Sequence, residues 1–446
     1  MNSQPSNDLT QGPVGKTLTR LTLPMMMGVS SSILVQLLEI GFIGQLGTEQ
    51  VAAVSFTFPV TMSLTSIALG ISIGVSSVVA RNVGSGDWDA VKQLSSHALL
   101  LIALLIGCVA ILGMLTIDPL FSALGASPEV ISYIHDYLLI YYPGTVLFTL
   151  AMVASSVLRA TGNARIPGLL MTLTAVLNLA LDPIFIFGWF GFPRMELTGA
   201  AVAMIVSRTV MLLLLIYYTA IREKLISFGR NSFVGVINSW KQILRVGAPA
   251  IATQMISPVS GIVITRMLAS YGETVVAGFG IASRIEAASV MFLFALSGSI
   301  GPFVGQNWGA KRLERVSLGI RAAYQFSMLW GLAVGILLYL FAASIVVLID
   351  DNPVAGAVAI NYLILVPVSY GVWGVLMVAS ASFNSLGHPL PSTFMSFTRM
   401  FIVYIPLATL GNSIFGYKGI FAATMISNLL MGAVAYWWLR KHLESR

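Results

Sequence analysis

Residues 21–43, LTLPMMMGVSSSILVQLLEIGFI, form an apolar run that contains a single charged side chain, Glu39. A helix of roughly 20 apolar residues is long enough to cross the hydrocarbon core of a bilayer. A carboxylate at that depth costs at least a few kcal/mol and usually marks a function. The run therefore predicts a membrane span that carries a functional acid.

Similar apolar runs recur along the whole chain. Of its 446 residues, 57% are hydrophobic and 9% are charged, whereas soluble proteins carry about 25% charged residues. The polar first twenty residues predict that no cleavable signal peptide precedes the first span. The sequence predicts an all-α polytopic membrane protein with twelve transmembrane helices. The predicted spans are 19–44, 51–79, 95–117, 131–156, 167–190, 198–220, 243–269, 276–305, 319–349, 356–382, 392–414 and 419–439.

The basic residues indicate the orientation of these spans. Most Lys and Arg fall in the termini and the even-numbered loops, and only Arg194 and Lys418 fall in the opposite loops. By the positive-inside rule, both termini are expected in the cytoplasm. The net charge of +7 is explained by this topology, so we expect no nucleic-acid partner. Cys108 is the only cysteine, which excludes an intramolecular disulfide and a cysteine metal cluster, and no metal site is expected.

The two halves of the chain align with each other at a constant offset of 225 positions (249 minus 24), as Pro24 and Pro249 show. The segment RNVGSGDWDAV from Arg81 meets QNWGAKRLERV from Gln306, and Tyr137 meets Tyr362. Because six spans separate equivalent points, the halves share one orientation. The pattern predicts two pseudo-symmetric six-helix bundles, at residues 1–220 and 243–446, joined by a cytoplasmic linker at 221–242. Such a plan is typical of secondary transporters.

Two polar stripes that each end in a carboxylate are expected to face one cavity, because residues three or four apart share a helix face. Span 1 contributes Ser32, Gln36 and Glu39, and span 5 contributes Thr174, Asn178 and Asp182. Pro24 and Pro183 lie in the same two spans and predict bends, since proline leaves a backbone carbonyl unpaired.

The second half serves as an internal control for these acids. Glu39 aligns with Ile264 and Asp182 aligns with Leu407, so the second half lacks both carboxylates. Burial and a neighbouring carboxylate both favour the protonated form of a carboxyl group, so such a pair is expected to exchange protons. The alternative is that each acid is hydrogen-bonded and only holds helices together.

Other polar groups within the spans are secondary candidates. Glu286, Arg284 and Arg399 could line the path of the substrate or ion, or could be paired for structural reasons. Arg284 and Glu286 are two residues apart, so they are not expected to pair with each other. Twenty Met residues suggest an adaptable cavity, with Met27 as one lining candidate, because Met repacks easily around varied ligands.

The segments EIGFIGQLG (39–47), NLALDPIFIFG (178–188) and GIASRIE (280–286), with two six-helix halves, resemble the multidrug and toxic compound extrusion (MATE) family. The first two are similar to its DinF-like prokaryotic branch. The resemblance implies an antiporter of a bacterial or archaeal plasma (inner) membrane with an N-terminal coupling site. It implies that Glu39 and Asp182 bind the coupling ion, that Asn178 and Tyr137 support them, and that span 1 bends at Pro24. The branch usually has Asp at the position of Glu39.

The function expected from this resemblance is export of small amphipathic, often cationic, compounds by a monomer in exchange for protons, without a cofactor. Span 7 contains ATQMISPVSGIVI, which has no acid, and this favours protons over sodium. Sodium-coupled drug efflux and a flippase of lipid-linked glycans are the alternatives. No HExxH or P-loop motif occurs in the sequence, so an enzyme is not expected.

Overall fold

Twelve helices long and apolar enough to cross a membrane occur in the computed structural model, which describes residues 8–226, 234–349 and 352–445. The prediction of an all-α protein with twelve spans is confirmed. We number these helices α1 to α12 in chain order. They are Val14–Gly44, Glu49–Ser85, Trp88–Leu115, Pro128–Ala160, Arg165–Phe187, Glu196–Arg222, Val236–Ala269, Glu273–Gly309, Leu313–Val347, Pro353–Ser385, Pro389–Phe415 and Tyr417–Glu444.

Most helices extend beyond the apolar runs that predicted them, because polar caps lie outside those runs. The Asp87 side chain accepts a hydrogen bond from the backbone of Ala90 at 2.9 Å and begins α3. Ser127 and Asn352 cap α4 and α10 in the same way, each followed by a proline in the first turn. Such caps satisfy backbone N–H groups that have no partner within the helix.

Two spans contain interruptions that hydropathy does not predict. A 3₁₀ turn at Val366–Ser369 divides α10, and a π-helical segment at Thr398–Tyr404 divides α11. A further π-helical segment, Tyr217–Arg222, ends α6. Irregular turns of this kind are often found at functional positions.

The chain forms two compact units. The first contains residues 23–251, and the second contains residues 9–22 and 252–446. Part of the predicted linker 221–242 lies outside the described residues, and the division at that linker stays a prediction.

Residues 9–22 belong to the second unit because arginines of that unit bind their backbone. Arg315 donates to the carbonyl oxygens of Gln11 and Gly12 at 2.7 and 2.6 Å. Arg312 donates to the carbonyl oxygen of Thr10 at 2.6 Å. The start of α1 is therefore anchored on the end of the second unit where α8 meets α9.

The internal repeat is visible in individual hydrogen bonds. The Asn82 side chain donates to the Val78 carbonyl at 2.9 Å, and the equivalent Asn307 donates to Phe303 at 2.8 Å. This equivalence confirms the two pseudo-symmetric bundles.

Within the second unit, α9 and α10 cross where each helix has a glycine, so the two backbones approach each other closely. A Cβ added to Gly331 of α9 would overlap the backbone nitrogen and Cα of Gly371. Gly335, one turn further along α9, has the Pro367 carbonyl oxygen at 3.6 Å from such a Cβ, an ordinary contact. The two glycines therefore differ in what an added methyl group would meet.

Gly331→Ala should destabilise the protein by about 1–3 kcal/mol, because the overlap forces a backbone shift. Gly335→Ala is the matched control and should be neutral or stabilising, since Ala is a better helix former than Gly by about 1 kcal/mol. Thermal unfolding of the two variants in detergent measures the difference. Equal melting temperatures would contradict this close crossing.

Candidate functional site

Asp182 on α5 is a fully buried carboxylate with only half of its hydrogen-bonding capacity used. The Asn178 amide, one turn earlier, donates to Asp182 Oδ2 at 3.0 Å, and Asp182 has an exposed fraction of 0%. Its other oxygen, Oδ1, is buried and has no hydrogen-bond partner among the described residues. A buried charged oxygen without a partner is costly. The free Oδ1 is therefore a position where binding a proton would remove an unfavourable charge.

Glu39 on α1 lies near this carboxylate. Its side chain is half-buried and it interacts electrostatically with Asp182 and with Tyr137. Two acids that sequence places 143 positions apart (182 minus 39) are thus brought into one site of the first unit. Both carboxylates expected from the polar stripes lie there.

Tyr137 on α4 completes the group predicted for coupling. It is buried, and its ring stacks on that of Tyr141 with centroids 5.6 Å apart. It interacts electrostatically with both Glu39 and Asp182. The phenol is therefore near both acids, and its supporting role stays a prediction.

Arg208 on α6 is a member of this site that the sequence reasoning did not select. Its guanidinium carbon lies 5.2 Å from the ring centre of Tyr141 and 4.6 Å from that of Phe148. It interacts electrostatically with Glu39, and its Nη1 is buried without a hydrogen-bond partner among the described residues. An arginine in the middle of a predicted span was the available signal, since cations there are usually functional.

The hydroxyl groups of the two polar stripes bond within their own helices. Ser32 donates to the Gly28 carbonyl at 3.0 Å, and Thr174 donates to the Leu170 carbonyl at 2.8 Å. Gln36 is exposed, and Met27 is 52% exposed. A role of these four residues in lining the substrate cavity stays a prediction.

Helices α1 and α5 pack closely beside Pro24. A Cβ on Gly168 would overlap the Pro24 carbonyl, and the Ser31 hydroxyl donates to that of Thr172 at 3.4 Å. Helix α1 continues through Pro24 and α5 continues through Pro183. The predicted bends at these prolines therefore stay a prediction.

The second unit contains a buried acid of a different kind. Glu286 on α8 accepts hydrogen bonds from the hydroxyls of Tyr362 at 2.6 Å and Tyr370 at 3.0 Å. Both hydroxyls reach the same oxygen, Oε2, from α10. This carboxylate is held by two donors, which supports the structural alternative for Glu286.

Arg399 extends this polar group. It interacts electrostatically with Glu286, donates to Asn428 Oδ1 at 2.8 Å and lies 6.0 Å from the ring centre of Trp373. It sits in the π-helical segment of α11. Arg284 is exposed on α8, and its role stays a prediction.

Equivalent tyrosines of the two halves lie near acids that come from different helices. Tyr362 aligns with Tyr137 at the 225-position offset (362 minus 137). Tyr362 donates a hydrogen bond to Glu286, whereas Tyr137 interacts electrostatically with Glu39 and Asp182. The acid comes from α8 in the second unit and from α1 and α5 in the first. The described residues contain no group of three His, Cys, Asp or Glu side chains that could hold a metal ion.

Comparison with known proteins identifies the protein family of the chain. A family model described as MatE matches twice, at residues 24–184 and 249–410, and the two matches begin at the offset of the internal repeat. The chain is 36% identical to the FAD transporter of Shewanella oneidensis over 436 residues, which is 98% of this chain and 96% of that protein.

Two further relatives extend this picture. The chain is 25% identical to the probable multidrug resistance protein YoeA of Bacillus subtilis over 445 residues, 96% of this chain and 95% of that protein. The crystal structure of the Vibrio cholerae MATE transporter VcmN in the bent form is 30% identical, has a TM-score of 0.92 and covers 97% of each chain. Membership of the DinF-like branch stays a prediction.

Tyr362→Phe should destabilise the protein by about 1–2 kcal/mol, because it removes one of two donors from a buried carboxylate. The lipid-side Tyr339, which is 67% exposed on α9, provides the control, and Tyr339→Phe should change stability by less than about 0.5 kcal/mol. A double-mutant cycle of Tyr362→Phe with Glu286→Ala, which removes the acceptor, measures the coupling. Additive effects would show that this hydrogen bond contributes nothing.

Proposed function

The chain belongs to the MATE family of multidrug efflux transporters, and we propose that it is an antiporter that exchanges amphipathic organic compounds for protons. It is a membrane transporter and not an enzyme. The proposed coupling residues are Glu39 and Asp182, supported by Asn178 and Tyr137. The transport unit proposed is the monomer in an inner membrane, with both termini in the cytoplasm.

The observation that carries the proposal is the unpaired Oδ1 of Asp182 beside Glu39. Two carboxylates in a site shielded from water repel each other when both are ionised, and a proton on either relieves that repulsion. Because Asp182 is buried, bulk water cannot weaken this repulsion by solvating its carboxylate. Proton binding therefore changes the charge of the site by one unit at a defined position.

Glu39 and Asp182 lie on α1 and α5, the helices that contain Pro24 and Pro183, so a change of charge there would alter the balance between conformations of these helices. Each proline leaves the carbonyl four residues earlier without its helical partner, which lowers the cost of a bend. The relative from Vibrio cholerae has been solved in a form described as bent, which supports more than one conformation for this fold. Substrate and proton must favour different conformations by a few kcal/mol for exchange to occur.

The substrate has two candidates. Drugs are the first candidate, because the chain is 25% identical to the probable multidrug resistance protein YoeA. FAD, a large aromatic anion, is the second candidate, because the FAD transporter of Shewanella oneidensis is 36% identical over nearly the full length. Arg208 is a cation within the site that could favour an anion.

Uptake into proteoliposomes distinguishes these substrates. Vesicles with an acidic interior receive ethidium or FAD outside, and an imposed sodium gradient replaces the pH gradient in a parallel experiment. We expect at least one substrate to accumulate with the pH gradient and neither with the sodium gradient alone. Accumulation driven by sodium would contradict proton coupling. Failure of both substrates with either gradient would favour the flippase of lipid-linked glycans.

Glu39→Gln and Asp182→Asn should each lower uptake driven by the pH gradient by about tenfold or more, because loss of a coupling group removes the differential affinity that drives exchange. Glu39→Asp should retain most activity, since the carboxylate is kept. The exposed Glu129 in the first turn of α4 supplies the control, and Glu129→Gln should transport normally. Full activity of Glu39→Gln and Asp182→Asn would exclude this coupling site.

A further inference from the structure

A deep groove of about 1240 Å³ lies on the second unit, between α9, α10 and α12. Its walls run from Ser317 to Leu329 on α9 and from Gly432 to Glu444 on α12, and Val372 and Val375 of α10 form its floor. Twelve residues of α-helix rise about 18 Å, and one leaflet contributes about half of the 30 Å hydrocarbon thickness. The groove therefore has the length of a single lipid leaflet.

The polarity of the lining changes along the groove. Ser317, Arg321, Arg440 and Glu444 line one end. The opposite end is lined by Met328, Leu329, Val372, Val375, Gly432 and Ala433. Under the orientation proposed above, the charged end lies at the cytoplasmic surface and the apolar end near the bilayer centre. A molecule that fits this gradient has an anionic or polar head and an apolar tail.

Two tyrosines line the groove between its charged and apolar ends. The rings of Tyr324 and Tyr436 are 5.6 Å apart, and both side chains belong to the lining. The Tyr324 hydroxyl oxygen is buried and has no hydrogen-bond partner among the described residues. Tyrosine is typical of the headgroup level of a bilayer, and a buried hydroxyl without a partner is costly. An ester or phosphate oxygen at this depth would accept its hydrogen bond.

The charges at the mouth favour an anion. Arg440 Nε donates to Glu444 Oε1 at 2.7 Å, and the same guanidinium also bonds to the Tyr436 hydroxyl, which leaves other N–H groups of its five for an anion. Arg321 is exposed on the facing helix. Two arginines and one glutamate leave a net positive charge, and basic groups at the cytoplasmic surface attract anionic lipids.

We propose that this groove binds one anionic phospholipid of the cytoplasmic leaflet, with its headgroup at Arg321 and Arg440 and an acyl chain against Met328 and Val375. The proposal depends on the proposed orientation and is independent of the transported substrate. The Tyr324 hydroxyl would donate to the glycerol ester region. The lipid would then be a specific ligand of the second unit and not part of the general bilayer surroundings.

Native mass spectrometry of the purified chain titrated with phosphatidylglycerol or phosphatidylcholine tests the proposal. We expect one phosphatidylglycerol to bind preferentially. The double variant Arg321→Gln/Arg440→Gln should lose about tenfold or more of this preference. Arg222→Gln is the matched control, because Arg222, which lies 5.5 Å from the ring centre of Tyr218 in the first unit, does not line the groove. Equal affinity of the wild type for both lipids would refute the proposal.

Two further variants separate lipid binding from general damage to the fold. Glu444→Gln should bind phosphatidylglycerol more tightly than the wild type, since it removes a like charge, and a merely disrupted fold would not gain affinity. Met328→Trp should weaken binding of both lipids by filling the apolar end. Inorganic phosphate should not displace the lipid. Displacement by phosphate alone, by ethidium or by FAD, or no gain in Glu444→Gln, would overturn the assignment.

Discussion

The hydrocarbon interior offers no water to a polar group, and this constraint organises the whole chain. Backbone groups find partners only within helices, which is why all spans are helical. Hydroxyls mostly return to the carbonyl one turn earlier, as Ser30 does to Met26 at 2.7 Å and Thr209 to Ile205 at 2.8 Å. A carboxylate has no proton to donate to a carbonyl and is met by other side chains instead, which form one cluster around Asp182 in the first unit and one around Glu286 in the second.

The buried acids of the two clusters differ in how many hydrogen-bond donors they have. Glu286 has two tyrosine donors on a single oxygen and an arginine nearby. Asp182 has one amide donor and one oxygen left without a partner. Full satisfaction stabilises an arrangement, whereas an unsatisfied group is improved by a ligand as small as a proton. The repeat thus provides a common scaffold, seen in Asn82 and Asn307, on which the two units give their buried acids different hydrogen-bond partners.

Features set within one helix can be predicted from the sequence, whereas features that depend on packing between helices cannot. Hydropathy predicts the twelve spans because membrane thickness acts on each helix separately. The turns at Val366–Ser369 and Thr398–Tyr404 escape prediction, since they depend on packing against other helices. The bond from Asn178 to Asp182 follows from spacing within one helix, but the approach of Arg208 to Glu39 requires the rotation of α6 to be known. Ser32 and Thr174 belong to polar stripes in sequence, yet their hydroxyls bond to their own helices.

The charge of the substrate determines which part of this structure must provide coupling. A cation and a proton can compete for the same two carboxylates, so exchange could occur by charge alone. An anion such as FAD would be attracted more strongly once the acids are protonated, and direct competition would then oppose antiport. For an anion, protonation must therefore act by changing the helix conformation beside Pro24 and Pro183, against the attraction of Arg208. Under the proposed coupling, transport of either class would require the carboxylates, but only transport of an anion would require that the helices move in response to them.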